Sequence, residues 1–318
     1  KIALHIIEQL CMQKNAFFEK IIIAPTGKAS KVAQKATGIP AFTVHRALAY
    51  NPNFGYQFNS TNRLPYDCIV IDESSMLDTE LTYHLFSAIA PTTKVIIMGD
   101  SKQLPSIGAG NVLRDLIESN KIRNITLNVI KRQGLDSGII TNARHIINGE
   151  MITSQKERMD ALVYRADTPD DVHSKIFKVM DALSKKYSLD EIQVLSPQKT
   201  GVCGTNYLNF LLQEKFNPNH NEIRFLNKQI SLTINNRNAK FDLYFKRGDK
   251  VINMRNNYSI PWYKNENGRL VLDGEHAGIT NGETGTIVKL IETKTKYNEY
   301  IRKIVVRYED KYIIYEND

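Results

Sequence analysis

Two short stretches carry the residue types that chemistry needs. Ile69-Val70-Ile71-Asp72-Glu73-Ser74-Ser75-Met76 sets two adjacent carboxylates directly after an apolar run. Gly99-Asp100-Ser101-Lys102-Gln103-Leu104-Pro105 sets an acid and an amide after the apolar run 94–98. An acid at the end of a buried strand can hold Mg²⁺ through water. Its neighbour points elsewhere and can orient or deprotonate an attacking water. Gln103 has the reach to hydrogen-bond a terminal phosphate and so report its loss, and Pro105 stiffens the loop holding it. An Asp-Glu pair alone would be no more than a solvated turn; the linked second stretch turns the reading toward nucleotide chemistry. The expectation is an ATP site faced by Asp72, Asp100 and Gln103, with Mg²⁺ on Asp72 and with Glu73 and Gln103 catalytic.

Other residues extend that reading. Ala24-Pro25-Thr26-Gly27-Lys28-Ala29 is a strand-to-helix junction whose exposed N–H groups, with Thr26 and Lys28, suit a phosphodiester. Gly27-Lys28 superficially resembles the end of a phosphate-binding G-x-x-x-x-G-K-[ST] loop. The earlier Gly is absent, however, and Ala29 stands where Ser or Thr is required, so no such loop occurs in the chain. His45, in Thr43-Val44-His45-Arg46, can contact nucleic acid, couple that contact to the nucleotide, or serve as a structural histidine. Arg132, in Lys131-Arg132-Gln133, can act as an arginine finger presented from a second domain, or belong to a surface basic pair. Tyr258, Trp262 and Tyr263 lie among Arg255, Lys264 and Arg269. That mixture suits base stacking on a single strand, and half-buried barrel aromatics suit it equally.

The elements that would position these residues follow from periodicity. Residues 2–11 carry a helical stripe. Residues 20–24, 68–71 and 94–98 are short buried strands, and 29–36, 77–89 and 112–117 are helices. Such alternation predicts a parallel sheet covered on both faces, with ligands beyond the carboxyl ends of its strands. The Pro25–Gly27, Asp72-Glu73 and Asp100–Gln103 groups all fall there. A second α/β unit is expected from about residue 125, with helices at 141–148, 170–187 and 205–215 and a strand at 192–195. After about residue 240, strands at 247–253, 283–290, 304–308 and 312–315 predict a small β-barrel, with 256–281 a long loop or hairpin.

The chain has 318 residues, 42% hydrophobic and 24% charged, enough for two or three domains. Its 42 Lys and Arg against 34 Asp and Glu, a net charge of +8, fit a polyanionic partner without singling one out. Cys11, Cys68 and Cys203 lack the spacing of a zinc site or a disulfide framework. No apolar run reaches the ~18 residues of a membrane span. A reducing cytosol, bacterial by the resemblance below, is the expected compartment.

Together these residues resemble the RecD-like group of superfamily 1 DNA helicases, the exodeoxyribonuclease V alpha-subunit type. Residues 24–30 resemble its motif Ia, 71–76 motif II, 99–110 (GDSKQLPSIGAG) motif III and 131–133 motif IV. Val194-Leu195-Ser196-Pro197-Gln198-Lys199-Thr200-Gly201, with Asn217-Pro218, is similar to a segment of the second motor domain. Gly248-Asp249-Lys250-Val251, Asn256-Asn257-Tyr258 and Asn281-Gly282 resemble the edge of that domain's SH3-like insertion.

The resemblance implies an α/β fold of two RecA-like P-loop NTPase domains, incomplete here: 1–122 as the first, 123–240 as part of the second, and 241–318 as the inserted SH3-like β-barrel. It implies ATP and Mg²⁺ as cofactors and single-stranded DNA as partner, together with other recombination or repair subunits and no membrane. It assigns nucleic-acid contacts to Pro25, Thr26, Lys28, His45, Ser196, Lys199, Asn257 and Tyr258, and nucleotide contacts to Asp72, Asp100, Gln103 and Arg132. The implied movement is 5′-to-3′. The family's Walker A is expected just before residue 1 and its motifs V and VI after residue 318. Two rivals stand beside this reading. One is a non-catalytic single-stranded nucleic-acid-binding module. The other is a P-loop NTPase acting on protein, against which the 196–201 segment argues.

Overall fold

Four β-branched or apolar runs build the sheet that positions the carboxylates. The computed structural model describes residues 18–127, 137–154, 160–218, 222–234, 237–294, 299–309 and 311–317. The helix expected at 2–11, and Arg132 with its neighbours Lys131 and Gln133, lie outside the described residues. The chain divides into two units: residues 1–136 with 147–149 and 280–282, and the remainder.

In the first unit the order is β1 (Lys20–Ala24), α1 (Gly27–Thr37), β2 (Ala41–Thr43), α2 (Val44–Ala47), β3 (Tyr50–Asn51), β4 (Gly55–Tyr56), β5 (Cys68–Ile71), α3 (Thr79–Ser87), β6 (Lys94–Ile97) and α4 (Val112–Glu118). The main sheet runs β2-β1-β5-β6, every neighbouring pair parallel. Alternate residues point to opposite faces, and both faces are covered. Ile21, Ile23, Ile69 and Ile71 pack with Leu77, Leu85 and Ile89 on one side. Ile22, Cys68 and Val70 pack with Ala33 and Ile39 on the other. This is why the runs read as continuously apolar rather than alternating. Helix α1 is capped by Thr26 at its start and closed by Gly38 at φ 74°, a left-handed position that glycine occupies without a Cβ penalty. Helix α3 starts two residues later than periodicity suggests. Asp78 caps it, and Leu77 closes a 3₁₀ turn at Ser74–Met76.

The second unit carries α5 (Gly138–Ile147), α6 (Pro169–Leu183), α7 (Thr205–Phe216), β7 (Phe225–Ile234), β8 (Arg237–Phe245), β9 (Lys250–Ile252), β10 (Asn257–Glu266), β11 (Arg269–Ile279), β12 (Thr284–Lys294), β13 (Tyr300–Arg307) and β14 (Tyr312–Asn317). An antiparallel six-stranded sheet runs β11-β10-β14-β13-β12-β9, around a core that includes Ile279, Ile287, Val306 and Ile313. The loop or hairpin expected at 256–281 is the β10–β11 hairpin. The separate β7–β8 hairpin, absent from the sequence reading, packs Ile230, Leu232 and Leu243 on Tyr207 and Phe210 of α7.

The strand expected at 192–195 is not formed. The segment has no ladder partner among the described residues, and Leu195 is 86% exposed. A parallel strand is stable only between neighbours that pair its backbone, and the described residues of this unit contain no parallel pair. No helix among the described residues is long and apolar enough to cross a membrane.

Candidate functional site

The register of the parallel sheet brings the sequence-predicted carboxylates to one edge. Ile23 pairs with Ile71 and Ile71 with Ile97, so β1, β5 and β6 end level with one another. Ladder bonds continue one residue further. Asp72 donates its N–H to the Ile23 carbonyl (2.9 Å), and Met98 donates to Ile71 (2.7 Å). Pro25 and Thr26, Asp72 and Glu73, and Gly99 and Asp100 therefore leave the sheet at its carboxyl edge. β2 delivers Val44 and His45 to the same edge, through the Ala24–Thr43 pairing.

The turn after β5 is sharp. Glu73 sits at φ 50°, ψ 38°, a left-handed conformation uncommon for a residue with a side chain and often found where function demands it. Its N–H bonds Asp72 Oδ1 (3.0 Å). That leaves Asp72 Oδ2 with no protein hydrogen bond among the described residues. Both carboxylates are half-buried.

The loop after β6 is folded on itself. Asp100 Oδ1 accepts from the Lys102 N–H (2.9 Å), and its carbonyl accepts from the Gln103 N–H (3.2 Å). The Gln103 amide reaches Asp100 Oδ2 at 3.4 Å. Both side chains are exposed, so Gln103 is held by one long, weak bond and is free to exchange it for a stronger acceptor.

At the head of α1, the Thr26 hydroxyl accepts from the Ala29 N–H (3.2 Å), so its first task is capping. Lys28 is exposed on the same turn. His45 meets Tyr50 edge-on (centroids 5.5 Å) and Tyr56 at 6.0 Å, and Tyr56 lies 4.4 Å from His84. Burial pulls the His45 pKa below the usual histidine value, partly opposed by the charge of Asp78. Sequence reasoning missed Tyr50, Tyr56 and His84. The available signal was the turn-rich Asn51-Pro52-Asn53-Phe54-Gly55 between two tyrosines, which marks a hairpin.

The remaining candidates lie in the second unit. The Ser196 hydroxyl bonds the Cys203 carbonyl (2.8 Å) within its own loop, and His173 Nε2 meets the Val202 carbonyl (2.8 Å). Lys199 stands exposed beside them. The Asn257 carboxamide oxygen accepts from the Ser259 and Ile260 N–H groups, shaping a turn, and Tyr258 is exposed. Trp262 donates to the Gly278 carbonyl (2.6 Å), stacks on His276 and lies 4.1 Å from Lys311 Nζ. Its indole is thus occupied within the β-module.

Oxygen donors such as those of Asp72 suit Mg²⁺, which typically uses one or two carboxylates plus phosphate and water oxygens rather than an all-protein cage. Among the described residues no three His, Cys, Asp or Glu side chains converge on a metal position.

Comparison with known proteins bears on this edge. The family described as an AAA domain matches residues 2–166. The ATP-dependent RecD2 DNA helicase of Deinococcus radiodurans is 30% identical over 269 residues, covering 85% of this chain and 34% of that protein. The RecBCD enzyme subunit RecD of Mycolicibacterium smegmatis is 36% identical over 141 residues, covering 38% and 26% respectively. A crystal structure of Bacteroides Pif1 bound to ssDNA is similar at 14% identity and a TM-score of 0.40, covering 98% of this chain and 73% of that one. The chain spans about a third of the first relative and about a quarter of the second.

Proposed function

We propose, from the premise that this chain belongs to the AAA domain family and within it to the RecD-like superfamily 1 helicases, that it forms part of an ATP-dependent DNA helicase moving on single-stranded DNA. The observation that carries the reading is the shared carboxyl edge of β1, β5 and β6, which gathers Thr26, Asp72-Glu73 and Asp100–Gln103 in one row. That edge is where ligands of parallel α/β sheets bind. Residues 1–122 are read as the first motor domain, 123–240 as part of the second, and 241–318 as an SH3-like module. Movement is 5′-to-3′ in this reading. Relatives named as RecBCD subunits suggest further protein partners for the whole protein.

Each residue then has a task. Asp72, with its open carboxylate oxygen, would hold Mg²⁺, and the bound ion would supply neutralisation of phosphate charge. Glu73, displaced from Asp72 by its left-handed backbone, orients and deprotonates the attacking water. Gln103 exchanges its long bond to Asp100 for a phosphate oxygen when one is present. Arg132 serves as the arginine finger. Pro25, the α1 N-terminus with Lys28, and His45 hold the strand in the first unit, and the Ser196 loop with Lys199, Asn257 and Tyr258 holds it in the second.

The test is binding of a fluorescent single-stranded oligonucleotide to this chain over a salt series. Lys28→Glu and Lys199→Glu each weaken binding and, as phosphate contacts, each lower the salt slope by about 1. An unchanged slope in both variants contradicts the assignment.

A further inference from the structure

Helix α3 touches both halves of the first unit's edge. At its start the Thr79 N–H bonds the Ala109 carbonyl (2.9 Å), in the same loop that carries Asp100 and Gln103. The seat is close. A Cβ on Gly108 would lie 2.2 Å from Asp78 Oδ2, and one on Gly110, already at φ 103°, would lie 2.0 Å from Thr79 Oγ1. The Ser106 hydroxyl ties the loop to itself, reaching the Gly108 and Gly110 carbonyls at 2.9 and 2.8 Å. Asp78 in turn fixes the helix end, accepting from the Leu81 N–H at 2.8 Å.

Farther along the same helix, the His84 ring lies 4.4 Å from Tyr56. Tyr56 lies 4.9 Å from Tyr50, and both reach His45. A nine-residue helix whose Leu85 is fully buried does not bend between its ends; it moves as a body or not at all.

We propose that α3 links the Asp100–Gly110 loop to the His45–Tyr50–Tyr56 cluster, so that single-stranded nucleic acid at the cluster alters the loop, with Thr79 and His84 as positioning residues. The proposal rests on the reading of His45 as a strand contact. Its physical content is a backbone bond from Thr79 to the loop at one end of the helix and the His84 ring on Tyr56 at the other, so that a shift of the helix strains both contacts.

Hydrogen exchange of this chain, with and without a thymidine oligonucleotide, tests it. In the wild type, oligonucleotide slows amide exchange across residues 100–110 by about fivefold or more, the lower end of ordinary coupling between sites. His84→Ala, whose ring meets the cluster only through Tyr56, keeps the His45 and Tyr50 contacts and still binds, yet at saturating oligonucleotide it loses the loop response. His84→Phe keeps a ring on Tyr56 and restores it. Gly110→Ala, which forces the loop off Thr79, abolishes the response while binding persists. A response intact in His84→Ala, or a loop that stays unchanged while wild type binds, overturns the link. Failure of the wild type to bind overturns the strand-contact reading, and the link with it.

Discussion

Ser74 donates both its backbone N–H and its hydroxyl to the carbonyl of Met98, at 3.0 and 2.8 Å. The turn that carries Asp72 and Glu73 is thereby stitched to the end of β6, one residue before the loop that carries Asp100 and Gln103. Two stretches of sequence that look independent form one rigid corner, and each holds the other's geometry.

Gly99 is the residue that lets this corner close. A Cβ there would lie 2.6 Å from Ser74 Oγ, 2.8 Å from Leu113 Cδ2 and 3.1 Å from the Ser75 nitrogen. Two of those neighbours cannot step aside, because one is backbone and the other belongs to the buried Leu113. Gly99→Ala therefore destabilises the first unit by about 1–3 kcal/mol, read as a lowered urea midpoint. Ser74→Ala, which removes a single hydrogen bond, costs about 1 kcal/mol.

The β-module depends on a buried ion pair. Lys311 and Glu283 meet at 3.1 Å with side chains 1% and 10% exposed, and Lys311 also bonds the Gly278 carbonyl (3.1 Å). Lys311→Met leaves a buried carboxylate without its cation and destabilises by about 3–5 kcal/mol, and adding Glu283→Gln recovers part of that loss. Thermal denaturation of the single and double variants checks both statements.

His45 gives stability a pH dependence. Its pKa in the folded protein lies below the usual histidine value because burial disfavours the imidazolium, with Asp78 opposing. The unfolded chain therefore takes up the proton first. The contribution is fully present above the unfolded pKa of about 6.5 and is lost as pH falls through the folded value. His45→Phe flattens the stability profile below pH ~6.5. Asp78→Asn steepens it by removing the opposing charge. Denaturation midpoints between acid and neutral pH measure both slopes.

Much of the first unit was legible because its strands are buried on both faces. Residues 20–24, 68–71 and 94–98 announce themselves as apolar runs, and chemistry-bearing residues stand at their ends. What escaped depended on short or one-sided elements. β2 is three residues long and follows Gly38-Ile39-Pro40, which reads as a turn. The β7–β8 hairpin is half-buried, against α7 along most of its length and against the six-stranded sheet at Phe225 and Phe245, and a register shift between Leu226 and Lys228 breaks its alternation. Leu77 fits the helical stripe and so draws the expected start of α3 two residues early, although Asp78 is the residue that caps the helix. Thr26 caps α1 through a bond three residues away, as its residue type at a helix start allows, whereas the closure of the Ser196 hydroxyl on the Cys203 carbonyl depends on a loop conformation that residue type does not give.

The most direct measurement is ATP hydrolysis, with and without single-stranded DNA, by the full-length protein containing this chain, beside its Glu73→Gln variant. The account predicts DNA-stimulated turnover in the wild type and a fall of about 10²–10⁴-fold in kcat in the variant, with single-stranded DNA binding retained. A wild type that binds single-stranded DNA without hydrolysing ATP would contradict the account and mark a binding module. A Glu73→Gln variant that turns over at the wild-type rate would contradict it equally.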